Sequence, residues 1–130
     1  MNDLIEAARD ALENAHAPYS GYRVGAAIRT ADGSVFAGCN VENSNYSNSL
    51  HAEEVALGEA VNRGHREFEA IAVSSGARDG VTPCGMCRQT LAEFCDRDFV
   101  VYTDHGDAVG EHALGELLPE PMSADRLTDG

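Results

Sequence analysis

The chain has 130 residues, enough for one domain with a core of its own, and 22 acidic residues against 9 basic ones give a formal net charge of −13. All of the basic residues are arginine, and long-range repulsion of phosphate backbones argues against a nucleic-acid partner while leaving small neutral substrates open. No apolar run reaches the length of a membrane span and acids are spread through Met1 to Ala15, which predicts a cytoplasmic protein with neither signal peptide nor anchor.

In chain order, Leu4, Ile5, Ala8, Ala11, Leu12 and Ala15 recur at helical spacing with acids between them, an amphipathic helix that Pro18 stops. After the loop Tyr19-Ser20-Gly21-Tyr22, the alternation of Val24, Ala26 and Ile28 predicts a strand. Asp32-Gly33 marks a tight turn, and Val35 to Val41 is the return strand of an antiparallel hairpin. Asn43 to Ser49 is a loop of capping residues before a helix that starts near Leu50, carries His51 and Glu53 in its first turn, and stops at Gly64. Phe68 to Ser75 contains the run Ala70-Ile71-Ala72-Val73, a strand covered on both faces.

Thr82-Pro83 reads as a hydroxyl cap followed by proline at the first helical position, which puts Cys84 and Cys87 on one face of the next helix. Phe99 to Tyr102 is a further strand, Asp104 to Asp107 a turn, Ala108 and Val109 a short edge strand, and Leu114 to Leu118 a last helical turn. Residues 119–130 read as an irregular tail of a single domain spanning 1–130. This order describes a three-layer α/β/α domain with a five-stranded mixed sheet opened by an N-terminal hairpin. Ligands in such folds bind at the carboxyl ends of strands.

Two helix starts then offer one imidazole, two thiols and a spare carboxylate. Zinc takes nitrogen or thiolate ligands, three plus water in a catalytic site and four in a structural one. His51, Cys84 and Cys87 make three, and their charges cancel that of Zn²⁺. Glu53 is too close to His51 along one helical turn to be a fourth ligand, but it can stand beside the metal's open position as a general acid and base. Arg88 is placed to donate to a thiolate sulfur. Cys39 and Cys95 read as small buried hydrophobes, with a role as fourth ligand of a closed structural site as the alternative. His-x-Glu followed by Pro-Cys-x-x-Cys is the known signature of zinc-dependent base deaminases.

Beyond those motifs, the chain resembles the short, single-domain cytidine deaminases through Ala17-Pro18-Tyr19-Ser20, Val24-Gly25-Ala26-Ala27, Gly38-Cys39-Asn40-Val41-Glu42-Asn43, His51-Ala52-Glu53, Pro83-Cys84-Gly85-Met86-Cys87-Arg88-Gln89 and Glu116-Leu117-Leu118-Pro119. The resemblance implies hydrolytic deamination of cytidine and deoxycytidine in pyrimidine salvage, with water activated on zinc attacking C4. By the same resemblance Glu53 protonates N3 and helps the amine leave, the backbone around Ala52 and Thr82 holds the base edge, Asn40 and Glu42 grip the ribose hydroxyls, and Tyr22, where phenylalanine is usual, packs against the nucleoside.

The resemblance also implies a homotetramer. Met122 replaces the aromatic that short members lend to a neighbouring subunit, and Tyr46 falls at a subunit boundary. His51 stands where many members have cysteine, and Glu54 where they have arginine. The imidazole makes that arginine unnecessary, and Glu54 is expected to point outward. Alternatives are a deaminase of another free base or nucleoside-like compound, a tRNA-editing enzyme disfavoured by the charge, and a non-enzymatic zinc-stabilised binding module. Absent lysine with abundant Asp and Glu further reads as halophilic, a surface adapted to a salty cytoplasm.

Overall fold

The computed structural model describes residues 2–45 and 49–119, so Tyr46, Met122 and the tail from 120 lie outside the described residues. The elements run α1 (Asp3–Leu12), β1 (Val24–Thr30), β2 (Val35–Cys39), α2 (Ala52–Asn62), β3 (Phe68–Ser75), α3 (Gly85–Phe94), β4 (Val100–Asp104), β5 (Val109–Ala113) and α4 (Leu114–Leu117). The five strands form one mixed sheet in the order β2-β1-β3-β4-β5. β3 and β4 pair in parallel and the other neighbours are antiparallel.

The alternation read in β1 separates two cores. Ala27 faces Leu4, Ile5 and Ala8 of α1, together with Ala70 and Ala72 of β3. Ala26 and Ile28 face the other way, toward Ala52, Ala56, Leu57 and Ala60 of α2 and Leu91 of α3. Helices thus cover both faces of the sheet, and β3, apolar on both sides, runs between them. Two glycines set how closely the helices lie. A methyl group on Gly25 would overlap the Ala8 carbonyl oxygen of α1, and one on Gly38 would sit 2.6 Å from the Ala56 nitrogen of α2.

Several boundaries differ from those read in the sequence. α1 ends at Leu12 and leaves Ala15 in the following turn, where Ala15 N–H bonds to the Leu12 carbonyl. β2 ends at Cys39 because Val41 leaves the ladder to exchange hydrogen bonds with Leu50. β5 is longer than the expected Ala108-Val109, since Val109 to Ala113 pairs along all of β4. Cys39 and Cys95 are half-buried rather than buried, and burial pushes the Cys95 thiol up to about 12.

Candidate metal and substrate site

The exchange between Val41 and Leu50 hands the chain to α2 at the carboxyl end of β2. His51 is the N-cap of α2 in extended backbone, and its N–H is taken by Glu54 Oε1 at 2.6 Å. Glu54 therefore folds back on the cap of its own helix, which closes one of the donors that a helix start leaves unpaired. Ala52 and Glu53 follow, both buried.

The second helix start departs from the expected one. Cys84, not Thr82, is the N-cap of α3, and the first helical residue is Gly85. The Thr82 hydroxyl is drawn off as acceptor of Arg88 Nη2 at 2.8 Å, while the Arg88 N–H closes the first helical bond on the Cys84 carbonyl at 2.8 Å. The cysteines accordingly sit at the cap and the third helical residue, at the end of α3 where N–H groups are free to face an anionic sulfur.

Arg88 also departs from its expected role. Its Nε donates to the Pro83 carbonyl at 2.6 Å and its Nη1 to the Leu117 carbonyl at 2.7 Å, so its described bonds clamp the 82–83 segment and α4 onto α3. None of them goes to sulfur.

Both helix starts converge. His51 Nδ1 lies 3.1 Å from Cys84 Sγ and 3.4 Å from Cys87 Sγ, and the three ligand atoms all fall within 4.8 Å of one another. Tetrahedral zinc with ordinary bond lengths spaces a nitrogen and a sulfur by about 3.5 Å, so the trio fits such an ion. The local chemistry asks for one as well. Burial, and then the neighbouring Glu53 and Cys84, push the Cys87 thiol far above its usual value, and a divalent cation is what reverses that penalty. Among the described residues no fourth His, Cys, Asp or Glu joins the trio, which leaves the count of an open site. Glu53 stays outside it, and burial raises its proton affinity.

Beside this trio opens a cavity of about 350 Å³, a size suited to a small ligand. Its lining brings together His51, Glu53 and Cys84 with Tyr22, Asn40 and Glu42. Ala52 and Thr82 line it too. The two polar residues expected to read a sugar are also tied to the wall. Asn40 accepts from Val24 N–H at 2.9 Å and donates to the Tyr22 carbonyl at 2.9 Å. Glu42 accepts from the Tyr19 and Ser20 N–H groups and from the Ser20 hydroxyl, and that hydroxyl holds its carboxyl below the usual value. Each keeps capacity for more bonds, a second amide hydrogen on Asn40 and further lone pairs on Glu42.

Ser20, Ser49 and Val81 line the cavity without having been singled out in the sequence. Ser20 had a signal, since it closes Ala17-Pro18-Tyr19-Ser20, one of the stretches that carry the resemblance. Ser49 and Val81 had none, since they lie in segments readable only as loops.

Residues 1–103 match the family model described as the cytidine and deoxycytidylate deaminase zinc-binding region. The chain is 42% identical over 130 residues to a cytidine deaminase of Sporosarcina psychrophila, covering 98% of this chain and 95% of that protein. It is 33% identical over 106 residues to a blasticidin-S deaminase of Bacillus cereus, covering 75% of each. The crystal structure of cytidine deaminase from Burkholderia pseudomallei superposes with a TM-score of 0.87 at 44% identity, over 94% of this chain and 100% of that one.

Proposed function

This chain belongs to the cytidine and deoxycytidylate deaminase family, and on that premise we propose that it hydrolyses the exocyclic amine of cytidine and deoxycytidine, releasing ammonia and leaving uridine and deoxyuridine. The observation that carries the reading is the meeting of His51, Cys84 and Cys87 at one point, with the buried carboxylate of Glu53 beside them and outside the trio.

His51, Cys84 and Cys87 would hold the zinc, which when bound acts as a Lewis acid and makes water nucleophilic at neutral pH. The remaining work belongs to the chain. Glu53, whose burial raises its affinity for a proton, receives one from the attacking water and passes it to N3 of the base. It then carries the proton of the new C4 hydroxyl to the amine, so that the C4–N bond breaks with loss of ammonia as the C4 carbonyl forms. Asn40 and Glu42 orient the ribose hydroxyls, the backbone of Ala52 and Thr82 holds the base edge, and the Tyr22 ring packs against the nucleoside. A base without its sugar would leave Asn40 and Glu42 with unfilled bonds and bind less well.

The blasticidin-S deaminase relative keeps a second reading in view, a deaminase of another nucleoside-like compound on the same fold. Loss of ultraviolet absorbance by cytidine on incubation with the zinc-loaded protein in high salt, set against cytosine and guanine, tests both. Turnover of cytidine well above the free bases is expected, and its absence would sink the proposal. A non-enzymatic zinc module is disfavoured by the count of three ligands among the described residues.

We further propose one domain over 1–130, assembled as a homotetramer, working in pyrimidine salvage in the cytoplasm. Exposed apolar side chains of Leu50, at the cavity, and Met86, between the two cysteines, support burial by another subunit. Light scattering giving the monomer mass would refute the assembly. No described helix is long and apolar enough to cross a membrane, in line with that location. The halophilic reading rests on the charge of −13 carried without lysine. It predicts higher stability in molar salt than in dilute buffer, and urea midpoints that do not rise with salt would rule it out.

A further inference from the structure

The cavity wall contains an aromatic ring held from outside the cavity. Tyr22 lines the cavity, and its backbone carbonyl accepts from Asn40 Nδ2 at 2.9 Å. Its phenol oxygen lies 3.0 Å and 2.9 Å from the two carboxylate oxygens of Asp79, to which it donates. Asp79 does not line the cavity, but it also accepts from the hydroxyl of Ser75 at 2.7 Å, a buried residue at the last position of β3.

Tyr22, 37% exposed, is thus tied by hydrogen bonds at its backbone and at the far end of its ring. Asp79 is itself presented by a shaped loop. Arg78 before it has φ 52°, Gly80 after it has φ 71°, and Gly80 N–H bonds to the Asp104 carbonyl at 2.9 Å. The same connection continues into Val81 and Thr82, which line the cavity, and Cys84. Burial and then Asp79 raise the phenol's hold on its proton, and Ser75 and then Tyr22 lower the carboxyl's, as a neutral phenol donating to a carboxylate requires.

We propose that Asp79 is a positioning residue for the deamination. Through the Tyr22 hydroxyl it fixes the ring that packs against the nucleoside, and so sets how tightly substrate is held, while touching neither substrate nor metal. The inference rests on the nucleoside-deaminase reading above. A phenylalanine would present the same apolar face without the anchor, so the hydroxyl and Asp79 act as one unit. Their effect is preorganisation, felt in binding more than in the chemical step.

The test is steady-state kinetics with cytidine on the zinc-loaded wild type, Tyr22→Phe, Asp79→Ala and the double variant. Each single change is expected to raise KM about three- to tenfold, with a much smaller effect on kcat. The double variant should be no worse than either single, because both break one link. Asp79→Asn, whose amide oxygen still accepts the phenol's hydrogen, should recover most of the KM.

Additive losses in the double variant, or an unchanged KM in Tyr22→Phe, overturn the proposal, since a role of Asp79 in loop structure alone would act independently of the hydroxyl. A wild type that leaves cytidine intact instead overturns the substrate reading. The link is then read by titrating tyrosine absorbance: Asp79→Ala should lower the ionisation of the phenol that Tyr22→Phe removes, and an unmoved phenol refutes it.

Discussion

Among the described residues two carboxylates are buried, Glu53 at 6% exposure and Asp104 at 1%, and they are treated in opposite ways. Burial alone would push both up. Asp104, at the end of β4, receives Arg9 from α1 through two bonds of 2.6 Å, the Ser74 hydroxyl at 2.7 Å and the Gly106 N–H at 2.9 Å. Together these outweigh burial and hold its carboxyl well below the usual range. Glu53 has fewer such partners, and burial keeps the upper hand. The scaffold carboxylate is held in its charged form, whereas burial leaves Glu53 with a raised affinity for a proton, as the shuttle proposed for it requires.

That contrast is open to direct attack. Glu53→Gln keeps shape but cannot carry the proton, and kcat for cytidine should fall about 10²- to 10⁴-fold while zinc content by metal analysis stays the same. Zinc lost along with activity would instead make Glu53 a ligand. Asp104→Ala should leave activity per folded molecule nearly intact but lower the urea midpoint, because the buried Ser74 hydroxyl and the partly exposed Arg9 lose their shared acceptor, a loss of about 1 to 3 kcal/mol for the buried hydroxyl's bond.

Acid sharpens the comparison further. Asp104 ionises in the folded chain below its unfolded value of about 3.9, so its contribution is fully present above that value and is lost as pH falls through the depressed one. Urea midpoints should therefore drop on acidification below about pH 4 to 5, and less steeply in Asp104→Asn. The smallest effect belongs to an exposed carboxylate. Glu59, paired with Arg63 one turn along α2 at 2.9 Å, should change stability by less than about 0.5 kcal/mol when Arg63 becomes Ala, a loss that salt erases.

Much of this was legible beforehand where the signal is local. Hydrophobic period located α1, β1 and β3, and two motif stretches named the metal trio and Glu53. Where reading and structure part, a side-chain hydrogen bond that period and motif do not encode decides, some of them local and some distant. Arg88 stands next to Cys87, yet the Pro83 and Leu117 carbonyls take its nitrogens. Thr82 has the right neighbours for a cap, yet Arg88 takes its hydroxyl and the cap moves to Cys84. Glu54, expected to face outward, does not line the cavity, and its carboxylate closes on the His51 N–H. Asp79 carried no signal, because its partner Tyr22 is 57 residues away.

By itself, then, the order of residues determined which chemical groups the chain owns, and through the periods of helix and strand which short segments carry them. Only the folded chain decided that two helix starts 33 residues apart bring Nδ1 and Sγ to 3.1 Å, and that one buried carboxylate is paired with Arg9 while burial raises the proton affinity of another. The reason is that period and capping are set by neighbours along the backbone. Distances between side chains from different elements, and the burial that shifts their proton affinities, exist only once both faces of the sheet are packed.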